Sequence, residues 1–182
     1  MNLNKLLMLD CLSRSIAFKR VKRIIANLVF ALSAPAVFAE EYVIGLGYDD
    51  VFDQTGTQSA AVLLEYHANP FFSGSRADYS FAVAGQVDTD GDIFIGFGVH
   101  AIWSIGQSPW FIESSFMPGF YDQGSRGTPL DGHLQFRSLI GVGYRLTETS
   151  RISLAVDHKS NADREDTNPG SETLSLRFTR DF

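Results

Sequence analysis

The chain has 182 residues, 45% of them hydrophobic, which suits one domain. Residues 1–39 hold six of the fifteen Lys/Arg but one of the twenty-one Asp/Glu; the rest has nine basic residues against twenty acidic ones, a net charge of −11. That argues against nucleic acid as a partner, because phosphate binding needs a basic surface. The single cysteine, Cys11, excludes disulfides and thiolate metal sites from everything after residue 39.

The basic cluster Lys19-Arg20-Val21-Lys22-Arg23 precedes a run, Ile24 to Phe38, that is apolar except for Asn27, Ser33 and Pro35. Val37-Phe38-Ala39 supplies small residues before a cleavage site. This is the pattern of a secretory signal peptide over residues 1–39, with Glu40 as the first mature residue. The competing reading, an uncleaved anchor, suffers from a run short of the roughly 20 residues a span needs. Residues 40–182 then form a single domain.

That domain contains no apolar run long enough for a membrane helix. Period-two alternation appears instead, interrupted by turn residues. Eight strands are predicted, approximately Glu41–Phe52, Ser59–Ala68, Arg76–Val87, Ile93–Ser104, Trp110–Tyr121, His133–Leu146, Arg151–Ser160 and Glu172–Phe182. Their connectors alternate. Asn69–Phe72, Ile105–Pro109 and Thr147–Ser150 are short; the segments near Asp53–Gln58, Asp88–Asp92, Asp122–Asp131 and Asn161–Ser171 are mostly longer and strongly polar. Short turns at one end and longer polar loops at the other characterise an all-β fold, an eight-stranded antiparallel transmembrane β-barrel of the outer membrane. A barrel of that size is filled by side chains and excludes a wide pore.

Each strand has an apolar and a polar face. In a membrane barrel the apolar face meets lipid; in a soluble lipid-binding barrel it faces inward. Pattern alone leaves that sign open. The charges on the polar faces (Arg137, Arg145, Asp157, Arg177, Asp181) favour the membrane, as do the terminal Phe182 and the aromatic residues Tyr42, Trp103, Trp110 and Tyr144 near strand ends. Cleavage in the periplasm would put the short turns there and the polar loops outside.

In this arrangement His158 and Ser160 share the parity of Leu154 and Val156, and Glu172 that of Leu174 and Leu176. All three project from the lipid-facing surface at the outer end of two neighbouring strands. Opposed residues on paired strands have Cβ atoms about 4.5–5.5 Å apart, so a nucleophile, a base and an orienting acid can meet. Polar residues at a barrel rim are also ordinary without catalysis. A noncatalytic barrel with a structural or adhesive role is therefore the alternative. His67, His100 and His133 read as lumen or rim residues. Asp88–Asp92 reads as a hairpin tip, and Asp163/Glu165/Asp166 as a solvated loop rather than a calcium site; no metal and no cofactor is called for.

His158-Lys159-Ser160-Asn161-Ala162 followed by Asn168-Pro169-Gly170-Ser171-Glu172 resembles the C-terminal signature of outer-membrane lipid A deacylases of the PagL type. The resemblance implies an eight-stranded barrel with an external active site in which Ser160, His158 and Glu172 form the triad. It implies an esterase removing the acyl chain at position 3 of lipid A, with lipopolysaccharide as substrate among outer-membrane lipids. Candidates for binding the oxyanion or positioning the substrate are Asn161, Asn168 and Gly170. Lys159 falls at a variable position of the motif and has no role assigned. The oligomeric state is open, a homodimer included.

Overall fold

The computed structural model describes residues 39–52 and 58–182. The segment expected to be a signal peptide lies outside them, apart from Ala39. Eight strands follow in chain order: β1 (Ala39–Asp49), β2 (Ser59–Ser73), β3 (Ala77–Asp88), β4 (Ile93–Ser104), β5 (Trp110–Asp122), β6 (Leu134–Arg145), β7 (Ser150–Ser160) and β8 (Ser171–Asp181). Each pairs antiparallel with the next, and β8 returns to β1 from Glu41↔Asp181 to Tyr48↔Leu174, closing the barrel. Closure leaves no strand edge unpaired, the condition for placing a sheet in lipid.

The alternation resolves with its apolar side outward. Leu46 is 66% exposed and Ile140 64%, whereas Arg177 and Asp157 are 0% exposed. A soluble barrel would reverse this sign. The lumen is a network of ion pairs. Arg177 donates to Glu65 Oε1 and Oε2 at 2.7 and 2.9 Å, and Arg137 donates to Glu65 Oε1 at 2.8 Å and Asp157 Oδ2 at 3.1 Å. Arg177 also lies 3.1 Å from Glu113, to which Ser153 donates at 2.5 Å. Buried charges persist when paired and hydrogen-bonded in this way, and the cross-links fill the bore. His67 sits between Glu41 and Glu65, at 3.2 and 3.0 Å, and stacks on His100 at 4.1 Å between ring centroids. Both are lumen residues.

Aromatic rings cluster at the end holding the short turns. Tyr42 meets Tyr66 and Phe182, Tyr79 meets Trp103, and Trp110 meets Tyr144. That is an interfacial girdle.

Two boundaries differ from the sequence expectation. Asn69–Phe72 is not a turn: β2 continues to Ser73, with register shifts on both sides of Pro70. Proline has no N–H for the ladder, so a strand accommodates it at a bulge. Phe71 packs on Phe81 and Phe72 on Tyr79, holding the extension to β3. The turn falls at Gly74, whose N–H donates to Ala77 O. β1 ends at Asp49 rather than Phe52, because Asp50 takes a left-handed backbone conformation (φ 56°).

Candidate active site

The last cross-strand pairs of β7 and β8 are His158↔Glu172 and Lys159↔Ser171. Residues alternate across a strand, so His158 and Glu172 project outward together while Lys159 and Ser171 project inward. His158 Nδ1 lies 2.8 Å from Glu172 Oε1. With an ionised carboxylate as acceptor, Nδ1 carries the proton and Nε2 is left as the basic nitrogen. The imidazole is 46% exposed, so it sits on the barrel wall and not in a pocket. Ser160 is two residues further along β7 on the same face, half-buried, and pairs with Phe136 of β6. The backbone of Glu172 is held in turn by Val51, whose N–H donates to Glu172 O at 3.0 Å.

Gly170 completes the seat of the imidazole. Its φ is +75°, and a Cβ there would lie 2.7 Å from His158 Cε1. Only glycine combines that backbone conformation with so close an approach.

The inward layer beneath the site is a polar anchor. Lys159 is buried and donates to Asp49 Oδ1 and Thr173 Oγ1, both at 2.9 Å; Thr173 also contacts Asp49, and Ser171 donates to its other oxygen at 3.2 Å. Lys159 thus ties β7 to β1 and β8 directly behind His158 and Ser160. Its parity, shared with Asp157, was the signal available in the sequence.

The loop after Ser160 is held by Asn161. Its Nδ2 donates to Leu130 O (3.1 Å), Asp131 O (3.2 Å) and Thr167 O (2.6 Å), and its backbone N–H donates to Asn168 Oδ1 at 3.1 Å. Asn168 is exposed and donates from Nδ2 to Asp163 Oδ1. The candidate positioning residues therefore take distinct places. Asn161 clamps two loops, Asn168 caps the amide next to Ser160, and Gly170 abuts the imidazole.

The sequence predicts the second of those loops as a polar connector near Asp122–Asp131, but not its anchors. Residues 123–133 run as a strap across the barrel mouth. Asp92 accepts from Gly124 N–H at 2.6 Å and Thr128 N–H at 2.9 Å, Leu130 is buried with Phe94 and Tyr121, and Asp131 Oδ2 accepts from Thr167 N–H and Oγ1. Asp88 caps the neighbouring hairpin tip, accepting from the N–H groups of Asp90, Gly91 and Asp92. Asp49, Asp88 and Asp92 bring carboxylate oxygens within 4.8 Å of one another. Lys159, Ser59, Thr173 and these backbone amides already satisfy them, so the cluster is a hydrogen-bonded junction. A cavity of about 200 Å³ lined by Glu41, His100 and Arg151 lies at the opposite end of the barrel and takes no part in the site.

An apolar belt, a closed ladder and a charged lumen define an outer-membrane β-barrel, here with a carboxylate–imidazole pair on its outer wall. Residues 58–180 match the sequence model of the lipid A 3-O-deacylase (PagL) family. The chain belongs to that family. It is 42% identical over 48 residues to the lipid A deacylase PagL of Bordetella bronchiseptica (strain ATCC BAA-588 / NCTC 13252 / RB50), a stretch covering 26% of this chain and 27% of that protein. Its fold is similar to the crystal structure of the outer membrane enzyme PagL (TM-score 0.61, 17% identity, covering 77% of this chain and 98% of that one). It is also similar to that of Neisserial surface protein A (TM-score 0.50, 13% identity, covering 80% and 97%).

Proposed function

We propose that this protein is a lipid A 3-O-deacylase, a serine esterase that hydrolyses the ester-linked 3-hydroxyacyl chain at position 3 of lipid A. The observation that carries this reading is the 2.8 Å His158–Glu172 pair on the lipid-facing wall, two residues along β7 from Ser160. Groups on that wall meet only molecules of the surrounding leaflet, and family membership names lipid A among them. Residues 1–39 act as the secretory signal, which puts the loop end of the barrel, and the site, at the outer leaflet.

Ser160 Oγ attacks the acyl carbonyl carbon as His158 Nε2 takes its proton. Glu172 keeps the imidazole in the tautomer with Nδ1 protonated and stabilises the imidazolium that forms. The tetrahedral intermediate collapses with rupture of the bond to the sugar oxygen, which leaves with the proton held on His158. Water, deprotonated by His158, then cleaves the acyl–Ser160 ester and releases the 3-hydroxy fatty acid. The oxyanion needs donors close to Ser160. The Asn161 N–H, which at rest donates to Asn168 Oδ1, is the nearest in sequence; the oxyanion displaces that acceptor, with the Asn168 amide and Gly170 bordering the same space.

Incubating the purified protein with lipid A in detergent tests the reading by assaying free 3-hydroxy fatty acid. Release supports an esterase; none across a range of detergents leaves a noncatalytic barrel. Gly170→Ala probes the seat of the base. Its Cβ displaces the imidazole, and a misplacement of about 1 Å costs roughly 10²-fold in rate. The left-handed backbone adds about 1–2 kcal/mol of strain. A fall in kcat with KM little changed is expected; wild-type kcat in this variant would remove Gly170 from the site.

A further inference from the structure

The polar row on the outer wall does not end at the imidazole. Ser138 of β6 pairs with His158 on the side away from Glu172, so Glu172, His158 and Ser138 stand abreast across β8, β7 and β6. We infer that Ser138 is a specificity-determining residue, whose hydroxyl binds the 3-hydroxyl group of the acyl chain being removed. The inference rests on the esterase reading given above.

The register places Ser138 beside the site. Phe136 pairs with Ser160 and Ser138 with His158. Ser138 therefore stands one outward position further from the loops than the partner of Ser160, a step of about 7 Å along the strand. Directly opposed residues have Cβ atoms about 4.5–5.5 Å apart, which puts Ser138 against the imidazole row. It faces the same way as His158 and Ser160, being exposed while its neighbours Arg137 and Leu139 are buried. With the headgroup at the loop end, an acyl chain whose carbonyl lies at Ser160 runs down the wall and passes the level of His158 and Ser138 first.

Two lanes flank β7 along that path. On the β8 side Glu172 presents a carboxylate beside His158, a poor neighbour for an alkyl chain. On the β6 side the outward residues from Phe136 to Val142 are Phe136, Ser138, Ile140 and Val142. Phe116 of β5 pairs with Ser138 from the far side, and its ring stacks on Phe136 at 6.0 Å between centroids. The β6 lane is thus the apolar one, and the hydroxyl of Ser138 is its one polar side chain over that stretch.

The chemistry of that lane selects the chain. Ser138 Oγ takes no hydrogen-bond partner among the described residues, and a hydroxyl set among alkyl chains without one is costly. A 3-hydroxyacyl chain carries its own hydroxyl two carbons from the ester carbonyl. Each of the two hydroxyls can donate and accept, so they satisfy one another inside the apolar lane. An unsubstituted chain covers Ser138 and leaves it unpaired, which is the more expensive arrangement. Discrimination between the two chains therefore falls on Ser138, while the bond-breaking groups are the same for both.

The test compares two synthetic acylated glucosamines in one detergent, identical except that the acyl chain esterified at position 3 carries or lacks its 3-hydroxyl. Wild type is expected to favour the hydroxylated ester by about tenfold in kcat/KM, the upper range for one neutral hydrogen bond. Ser138→Ala is expected to abolish that preference, with the loss falling on the hydroxylated ester. Ser138→Thr, which keeps a hydroxyl, is expected to retain it, and heat-modifiable gel migration serves as the folding check for both. No preference in wild type, a preference that survives in Ser138→Ala, an equal loss on the two esters, or a preference lost in Ser138→Thr as well overturns the assignment. A wild-type protein that hydrolyses neither ester instead overturns the esterase reading itself.

Discussion

Ser160→Ala is expected to lower acyl release from lipid A by about 10³-fold or more, because it removes the atom that forms the new bond and no partial substitute remains in the triad. The fold should be indifferent to the change. Ser160 is the last residue of β7, half-buried at the barrel rim, and substitutions at such positions usually stay within about 0.5 kcal/mol. The variant should therefore keep the wild-type difference in migration between boiled and unboiled samples. Binding should survive too, so KM, where measurable, moves little while kcat collapses. Loss of activity together with loss of the compact band would point to misfolding. Full activity would remove Ser160 from the chemistry.

The largest effect on stability is expected from Glu65→Ala. The Glu65 side chain is fully buried and bridges Arg137 of β6 and Arg177 of β8 from β2 across the bore, with His67 Nε2 3.0 Å from its second oxygen. Among the described residues, truncation leaves Asp157 as the carboxylate partner of Arg137 and Glu113 as that of Arg177. Removing one member of a buried ion cluster costs about 3–5 kcal/mol, because the remaining charges stay desolvated. The midpoint of denaturant unfolding in detergent should fall accordingly, with the m-value unchanged. An unaltered midpoint would mean that water solvates the lumen and that the network does not hold the barrel. Lys159→Met bears on the same physics nearer the site, since it strands Asp49 beneath β7.

The features that were legible in the sequence were those carried by local alternation. Period two was enough to assign eight strands, to separate Leu154 and Val156 from Ser153 and Asp157, and to put His158, Ser160 and Glu172 on one face; that Glu172 stands opposite His158 rather than Ser160 took the register of the closed hairpin. The sign of the faces required the closed barrel, since both signs produce the same pattern. Pro70 misled because proline is a turn signal, and a bulge that absorbs it is visible only against its partner strand. Lys159 could have been read inward from the parity it shares with Asp157, but as a variable position of the motif it was given no role. The connector Asp122–Asp131 was legible as a polar loop, but its course as a strap was not. Its anchors join Asp92 to Thr128 and Asn161 to Leu130 across long stretches of chain, without period or local motif. It matters for the site because Asn161, next to the proposed nucleophile Ser160, takes its place from that strap.

The claim on which everything else rests is that the outer-wall site removes one particular acyl chain. Mass spectrometry of lipid A recovered after incubation with the wild-type protein tests it most directly. The expected result is a mass loss equal to one 3-hydroxyacyl group replaced by hydrogen at position 3, with the amide-linked chains and phosphates retained and no change in the Ser160→Ala sample. An unchanged wild-type spectrum, loss of a different chain, or the same loss in the Ser160→Ala sample would contradict it.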